Sequence, residues 1–318
     1  MKIVLLDGAL ANQMTQYIFA RCLQKETNDT VYLDDLFFHN PHSDYCESAA
    51  SLEKHQYQLN KFSNLAKTPL MSEYFDPDVW EEIKKQAAKM GRLDCGSHLP
   101  QILKDNGLNF FMIEETSLSK FDGMIAKMPF YYCIPEMLAA QGNVYYYGWF
   151  TNGGWFMRHA EMFRHELELP PLTSEADLEM EKEIDQSFSI GVHIRCGGGY
   201  KASGIAFPAE YYKEQIQNIC SSLKTKRNGL KKTHIFIFAD DIAWCKQNFK
   251  KLGLDKIPYP VTFGQQDRGP DDNQNDMKLL SMCDVMIINN SVYGYMAALL
   301  NDKPNKIVIN PIKSRGVF

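Results

Sequence analysis

The sequence predicts an α/β protein built from two doubly wound parallel units. Three observations lead there. Short apolar runs alternate with segments of helical periodicity, polar and glycine-rich residues stand where the apolar runs end, and 318 residues suffice for two domains. In the first unit, residues 3–6 form an apolar run followed by Gly8, as for a buried parallel strand entering a turn. Residues 12–25 read as a helix, because Met14, Tyr17, Ile18, Arg21 and Cys22 share one face. Residues 30–33 read as a second strand, and residues 40–75 are polar and irregular. Asp76-Pro77-Asp78 opens a helix to residue 90, with Asp76 as N-cap, Pro77 in first position and Gly91 as stop. A tyrosine-rich strand follows at 144–149 and a helix at 155–167. Pro170-Pro171 then precedes an acidic helix at 174–186, and the junction is placed at its end, giving units of residues 1–186 and 187–318.

The second half alternates more clearly. Strands are expected at 188–194, 234–239, 284–288 and 306–309. Helices are expected at 208–223, at 242–252 before Gly253, at 276–282 and at 292–300.

Composition narrows the function. Hydrophobic residues make up 45% and charged residues 23%, as in globular proteins, so the bulk of the chain has a core to build. A net charge of −5, with Lys and Arg scattered, argues against nucleic acid as partner. Aromatic residues at 12% suit stacking on planar or sugar rings as well as a well-filled core. The eight cysteines include no Cys-x-x-Cys pair and read as free thiols of a reducing cytosol. The first apolar run stops at Asp7, too soon for a signal-peptide core, and no stretch is long enough to cross a bilayer. The expectation is a cytoplasmic protein, at most resting on the inner membrane.

In open α/β sheets ligands bind outside the carboxyl ends of the strands. Four such ends carry polar or glycine-rich residues. His193-Ile194-Arg195 sets an arginine beside Gly197-Gly198-Gly199, which suits a diphosphate through the guanidinium fork and close backbone approach; the alternative is an Arg paired with a carboxylate. Asp240-Asp241 opens a helix, so it is either a cap or an acceptor for a base or ribose. Asn289-Asn290-Ser291 stands at a helix start that favours phosphate, and capping is compatible with that. Asn12, Gln13 and Gln16 either hold sugar hydroxyls or phosphate, or cap and pack. Asp76-Pro77-Asp78 has metal–diphosphate spacing but follows no apolar strand, the histidines show no ligand pairing, and P-loop and dinucleotide glycine motifs are lacking, so no metal or cofactor is expected.

These four places also carry a family likeness. Gly8-Ala9-Leu10-Ala11-Asn12-Gln13-Met14-Thr15-Gln16-Tyr17 resembles the N-terminal Gly-x-x-x-Asn-Gln-x-x-Gln-Tyr element of the α-1,2-fucosyltransferases, glycosyltransferase family 11. His193-Ile194-Arg195 resembles their His-x-Arg-Arg-Gly-Asp segment, Phe238 to Lys246 their Asp-Asp element, and residues 276–311 their C-terminal block. Cys196 replaces the second Arg, glycines replace the Gly-Asp, and Ser291-Val292-Tyr293-Gly294-Tyr295 replaces Ser-Phe-Ser-Trp-Trp. The resemblance implies a GT-B architecture, two Rossmann-like domains facing a cleft, with the acceptor on the N-terminal and the nucleotide sugar on the C-terminal side. It implies inverting, metal-independent transfer of L-fucose from GDP-fucose to the 2-hydroxyl of a galactoside, as in a lipid-linked bacterial glycan. Arg195 would then hold the β-phosphate, His193 with Asp240 or Asp241 the guanosine, and Asn289 and Ser291 the diphosphate, with Asn12 and Gln13 also on the donor. The catalytic base is unassigned. Loss of one cation and one carboxylate leaves two rival expectations: a sugar-nucleotide or glycan-binding protein without catalysis, and a transferase of another GDP-sugar.

Overall fold

The computed structural model describes residues 1–39, 56–89, 95–115, 133–197, 204–225, 232–269 and 271–312. The chain forms two compact units that divide between Glu168 and Leu169.

The first unit is an α/β unit around a parallel sheet in the order β2-β1-β4-β3. Its strands are β1 (Lys2–Leu5), β2 (Val31–Asp34), β3 (Phe111–Glu114) and β4 (Val144–Tyr147). β1 is buried throughout, with Ile3 opposite Tyr32 on one side and Tyr145 on the other. Helix α1 (Leu10–Thr27) buries Met14, Tyr17, Ile18 and Phe19. Helices α2 (Pro77–Lys89) and α3 (Cys95–Asp105) bring Trp80, Ile83, Leu99 and Leu103 into a core with Ile3, Leu5 and Tyr145. The pleat sends neighbouring tyrosines to opposite faces: Tyr145 joins that core, while Tyr146 meets the Phe19 ring of α1 edge-on at 5.2 Å. Helices α4 (Gly153–Met157) and α5 (Ala160–Glu166) complete the unit. Tyr17 and Arg21 both hydrogen-bond Glu166, which ties α1 to α5.

The second unit holds a parallel sheet in the order β7-β6-β5-β8-β9. Helix α6 (Glu175–Gln186) leads into β5 (Phe188–Ile194), which pairs with β6 (Thr233–Ala239) along its whole length. Between them, α7 (Ala209–Thr225) packs Tyr212 and Ile216 against Ile190, Val192 and Ile194. Next come α8 (Ile242–Gln247), β7 (Val261–Phe263), α9 (Asn275–Ser281), β8 (Val285–Ile287), α10 (Val292–Leu300) and β9 (Ile307–Ile309). Gly191 lets α9 approach β5, since a Cβ there would lie 2.7 Å from Leu280 Cδ1.

Several expectations are corrected. The division falls before α6, not after it. Asp177 of that helix pairs with Arg268 at 2.5 Å and accepts from Asn275, and Lys278 donates to the carbonyls of Leu169 and Pro170, so the second unit holds the segment. The helix expected over 155–167 splits into α4 and α5, and the one expected over 242–252 ends at Gln247, the chain turning on to Gly253 at φ 72°. Helix α3 and strands β3 and β7 are additions. The Gly91 stop and residues 40–55 lie outside the described residues. No helix among the described residues is long and apolar enough to cross a membrane, and six of the cysteines, Cys22, Cys133, Cys196, Cys220, Cys245 and Cys283, are free.

Candidate functional site

In the second sheet the chain moves outward from β5 through β6 to β7, then returns to place β8 and β9 on the other side of β5. The topological switch point therefore lies between β5 and β8, where departing loops diverge and open a crevice. His193 and Arg195 come off β5 there, Asn289 and Ser291 come off β8, and Asp240 stands beside them at the end of β6. The structure thus gathers five of the expected residues at adjacent strand ends.

Arg195 is fixed at one end of its fork. Its Nη1 lies 2.8 Å from Asp240 Oδ2, while 39% of its side chain is exposed. Asp240 also accepts from the backbone N–H of Cys196 (2.8 Å) and of Gly197 (2.9 Å). One carboxylate thereby sets both the loop after β5 and the guanidinium above it. Gly197 is needed for this, because a Cβ would lie 2.3 Å from Asp240 Oδ2. Of the two sequence readings of Arg195, the carboxylate pair is present, and it orients the fork. Asp241 is the N-cap of α8, accepting from Trp244 N–H at 2.8 Å. Cys196, which stands where the resemblance has a second Arg, points its thiol at the Asp241 carbonyl (3.8 Å), and the neighbouring Cys245 thiol together with burial raises its pKa, so it stays protonated and uncharged.

His193 is buried, its ring stacked on Tyr293 with centroids 5.4 Å apart. Burial pushes its pKa down to about 4, so the imidazole is neutral at neutral pH. Its Nδ1 is buried, has no hydrogen-bond partner among the described residues, and rests against Gly294, where a Cβ would lie 2.7 Å away. This accounts for glycine inside the first turn of α10. Asn289 donates to the Tyr212 hydroxyl at 2.8 Å and accepts from Ser291 N–H at 2.9 Å. Tyr212 in turn receives the Arg195 backbone N–H, which links the ends of β8 and β5. Ser291 caps α10, accepting from Tyr293 N–H.

The sequence reading missed the group behind Tyr293. Its hydroxyl donates to the Asn273 carbonyl at 2.5 Å, and it lies within electrostatic reach of Asp276 and Arg268. Arg268, buried, donates to Asp276 at 2.6 Å, and burial raises the Asp276 pKa to about 6. No motif marked Arg268, and Asp276 entered only as the first residue of the C-terminal block; the two meet through the loop after β7.

Asn12 and Gln13 belong to the first unit. Gln13 is fully buried: its amide donates to the carbonyls of Gly8 and Gln56, and its oxygen accepts from Gln58 N–H. Gln16 is buried as well, donating to Asp7 and to the Gly148 carbonyl. Both glutamines shape loops, as in the capping-and-packing reading. Asn12 is partly exposed and crowds Gly8, whose φ of 68° suits glycine.

An O-antigen biosynthesis glycosyltransferase of Escherichia coli, WbnK, is 23% identical over 97% of this chain and 93% of its own. An alpha-1,2-colitosyltransferase of Escherichia coli is 28% identical over 54% of this chain and 56% of its own, so the chain spans about half of that relative. The NodZ alpha-1,6-fucosyltransferase, in a structure soaked with GDP-fucose, aligns over 96% of each chain with a TM-score of 0.48 and 15% identity. The model of glycosyl transferase family 11 matches residues 96–316, well over half of the sequence, and the chain belongs to that family of glycosyltransferases.

Proposed function

We propose that this glycosyltransferase moves L-fucose from GDP-fucose to the 2-hydroxyl of a galactoside, with inversion and without a required metal. One observation carries the donor half: the switch point of the second sheet is flanked by a fixed arginine fork and by the N-terminus of α10. That pairing suits a diphosphate, which takes bidentate bonds from a guanidinium and gains from the orphan N–H groups and dipole of a helix start. His193 and Tyr293 supply a neutral, stacked aromatic floor for the base beside it. Asp240 acts on the donor through Arg195.

In the proposed reaction the acceptor oxygen bonds to C1 of fucose as the C1–phosphate bond breaks on the opposite face. The electron pair leaves with GDP, and the hydroxyl proton passes to a base. Arg195 and the helix N–H groups stabilise the charge that develops on the diphosphate.

A second reading, transfer of another GDP-sugar, is favoured by the colitosyltransferase relative and by Cys196 in place of a cation. The test is a donor panel of GDP-fucose, GDP-colitose and GDP-mannose with a β-galactoside, the product linkage read by NMR, with and without EDTA. An α-1,2-fucosylated product insensitive to EDTA is expected. Preference for another donor selects the second reading. GDP binding without transfer or hydrolysis across the panel overturns catalysis and leaves a binding protein.

A further inference from the structure

In the first sheet the chain goes from β1 outward to β2, crosses to β3 at the far edge and comes back to β4 beside β1. At the carboxyl ends of the neighbouring strands β1 and β4, Asp7-Gly8 meets the turn Gly148-Trp149-Phe150, and in parallel sheets ligands bind outside such ends. We propose that Trp149 is the platform on which the acceptor galactopyranoside is seated, a proposal that rests on the transfer reading above.

The turn is held far more firmly than a connecting loop requires. Gln16 donates to the Gly148 carbonyl at 3.2 Å and Thr15 to the Trp149 carbonyl at 2.6 Å. The N–H groups of Trp149 and Phe150 both donate to Glu115 Oε2, at 2.9 and 3.0 Å. Phe150 sits at φ 48°, a left-handed conformation that a bulky residue keeps only when its surroundings over-determine it. That backbone turn sends the Phe150 ring inward, stacked on Phe19 at 3.9 Å, and leaves its neighbour Trp149 partly exposed. The indole N–H donates to Asp7, so the ring is fixed from its inner edge as well.

Two buried carboxyls serve this one residue, and among the described residues neither is in an ion pair. Among the described residues, the buried Glu115 Oε1 has no hydrogen-bond partner. Buried, under-satisfied carboxyls oppose folding, and they are retained where orientation matters. What they orient is a large, rigid, apolar face with its polar edge turned inward. A galactopyranose fits such a face. Its axial 4-hydroxyl leaves the C–H groups at C3, C4 and C5 together on the opposite side, where they pack on an indole, while the equatorial 2-hydroxyl stays at the rim. Glucose, with an equatorial 4-hydroxyl, lacks that continuous apolar side.

The test combines acceptor kinetics with binding, using Trp149→Ala and Trp149→Phe, with melting temperature as fold control. The acceptor KM should rise about tenfold in Trp149→Ala and less in Trp149→Phe, while the Kd for GDP stays within about twofold of wild type. Methyl β-galactoside should change the tryptophan fluorescence of wild type, methyl β-glucoside should not, and Trp149→Phe should abolish the response. A galactoside response that persists in folded Trp149→Phe, or an unchanged acceptor KM in either variant, overturns the platform. If wild type turns over no GDP-sugar, the transfer reading fails, and the galactoside titration still decides this one.

Discussion

Removing the Arg195 guanidinium should weaken donor binding far more than it weakens the fold. The side chain is partly exposed and its pair with Asp240 lies at the mouth of the sheet, so the pair contributes about 0–1 kcal/mol to stability. Two charge-assisted bonds from the fork to a diphosphate are worth ~1.5–3 kcal/mol each. At 1.4 kcal/mol per decade, Arg195→Ala should therefore lower GDP affinity by at least ~10²-fold. Turnover should fall by roughly 10²–10³-fold if the bonds tighten as the sugar–phosphate bond breaks. A second effect adds to the first. Asp240 keeps its bonds from the Cys196 and Gly197 N–H groups but loses its cation, so an unneutralised carboxylate faces the incoming phosphates. The double variant Arg195→Ala/Asp240→Asn should accordingly lose less affinity than the two single losses summed. Arg195→Lys should recover part of the binding, having the charge without the fork. Calorimetric titration with GDP, alongside turnover, measures the wild type, Arg195→Ala, Asp240→Asn, the double variant and Arg195→Lys. A folded Arg195→Ala variant that binds GDP within about twofold of wild type refutes the placement of the diphosphate.

Gly294→Ala would press a methyl into His193 Nδ1; thermal melts should show a loss of about 1–3 kcal/mol and titration a weakened GDP complex. Gln13→Ala leaves buried backbone groups near Gly8, Gln56 and Gln58 without partners and should cost about 2–4 kcal/mol in denaturant unfolding, with the GDP affinity of the folded fraction unchanged. Burial raises the Glu115 pKa from 4.5 to about 8, so between those values the folded chain keeps a proton that the unfolded chain releases. Its contribution to stability is complete below about pH 4.5 and is lost as pH rises to about 8, by up to ~1.4 kcal/mol per pH unit. Melts across that range should show a shallower decline in Glu115→Gln than in wild type; identical slopes would remove Glu115 as the cause.

The alternation of strands and helices was legible because β1, β5 and β6 are apolar runs ending in glycine or polar residues, and α1 and α7 carry their apolar residues at helical spacing. β3 lies in a continuous apolar run, Phe110 to Ile113, that does signal a strand; it escaped notice because it is short and stands at the sheet edge, with Phe111 largely exposed. β7 is three residues long and follows Pro258 and Pro260, which read as a loop. At the candidate site the residues that belong to strand ends were found. Gly294, Arg268, Glu115 and Trp149 were not, since each takes its meaning from a partner far away in the chain: Gly294 from His193, Arg268 from Asp177, Glu115 and Trp149 from each other.

The tie between Asp177 and Arg268 decides how the protein can be cut into working pieces. A fragment beginning at Leu169 retains α6, and with it a carboxylate for a guanidinium whose side chain is only 7% exposed. A fragment beginning at Ser187 would leave Arg268 to Asp276 and the more exposed Asp272, and would strip Asn275 of its acceptor as well. Since Asp276 and Arg268 stand behind Tyr293, that trimming would reach the floor under His193 from a cut made far along the chain. Any version of the second unit made for crystallography, or for exchange with a relative's, should therefore take its first residues from the linker ahead of α6 rather than from the start of its first strand.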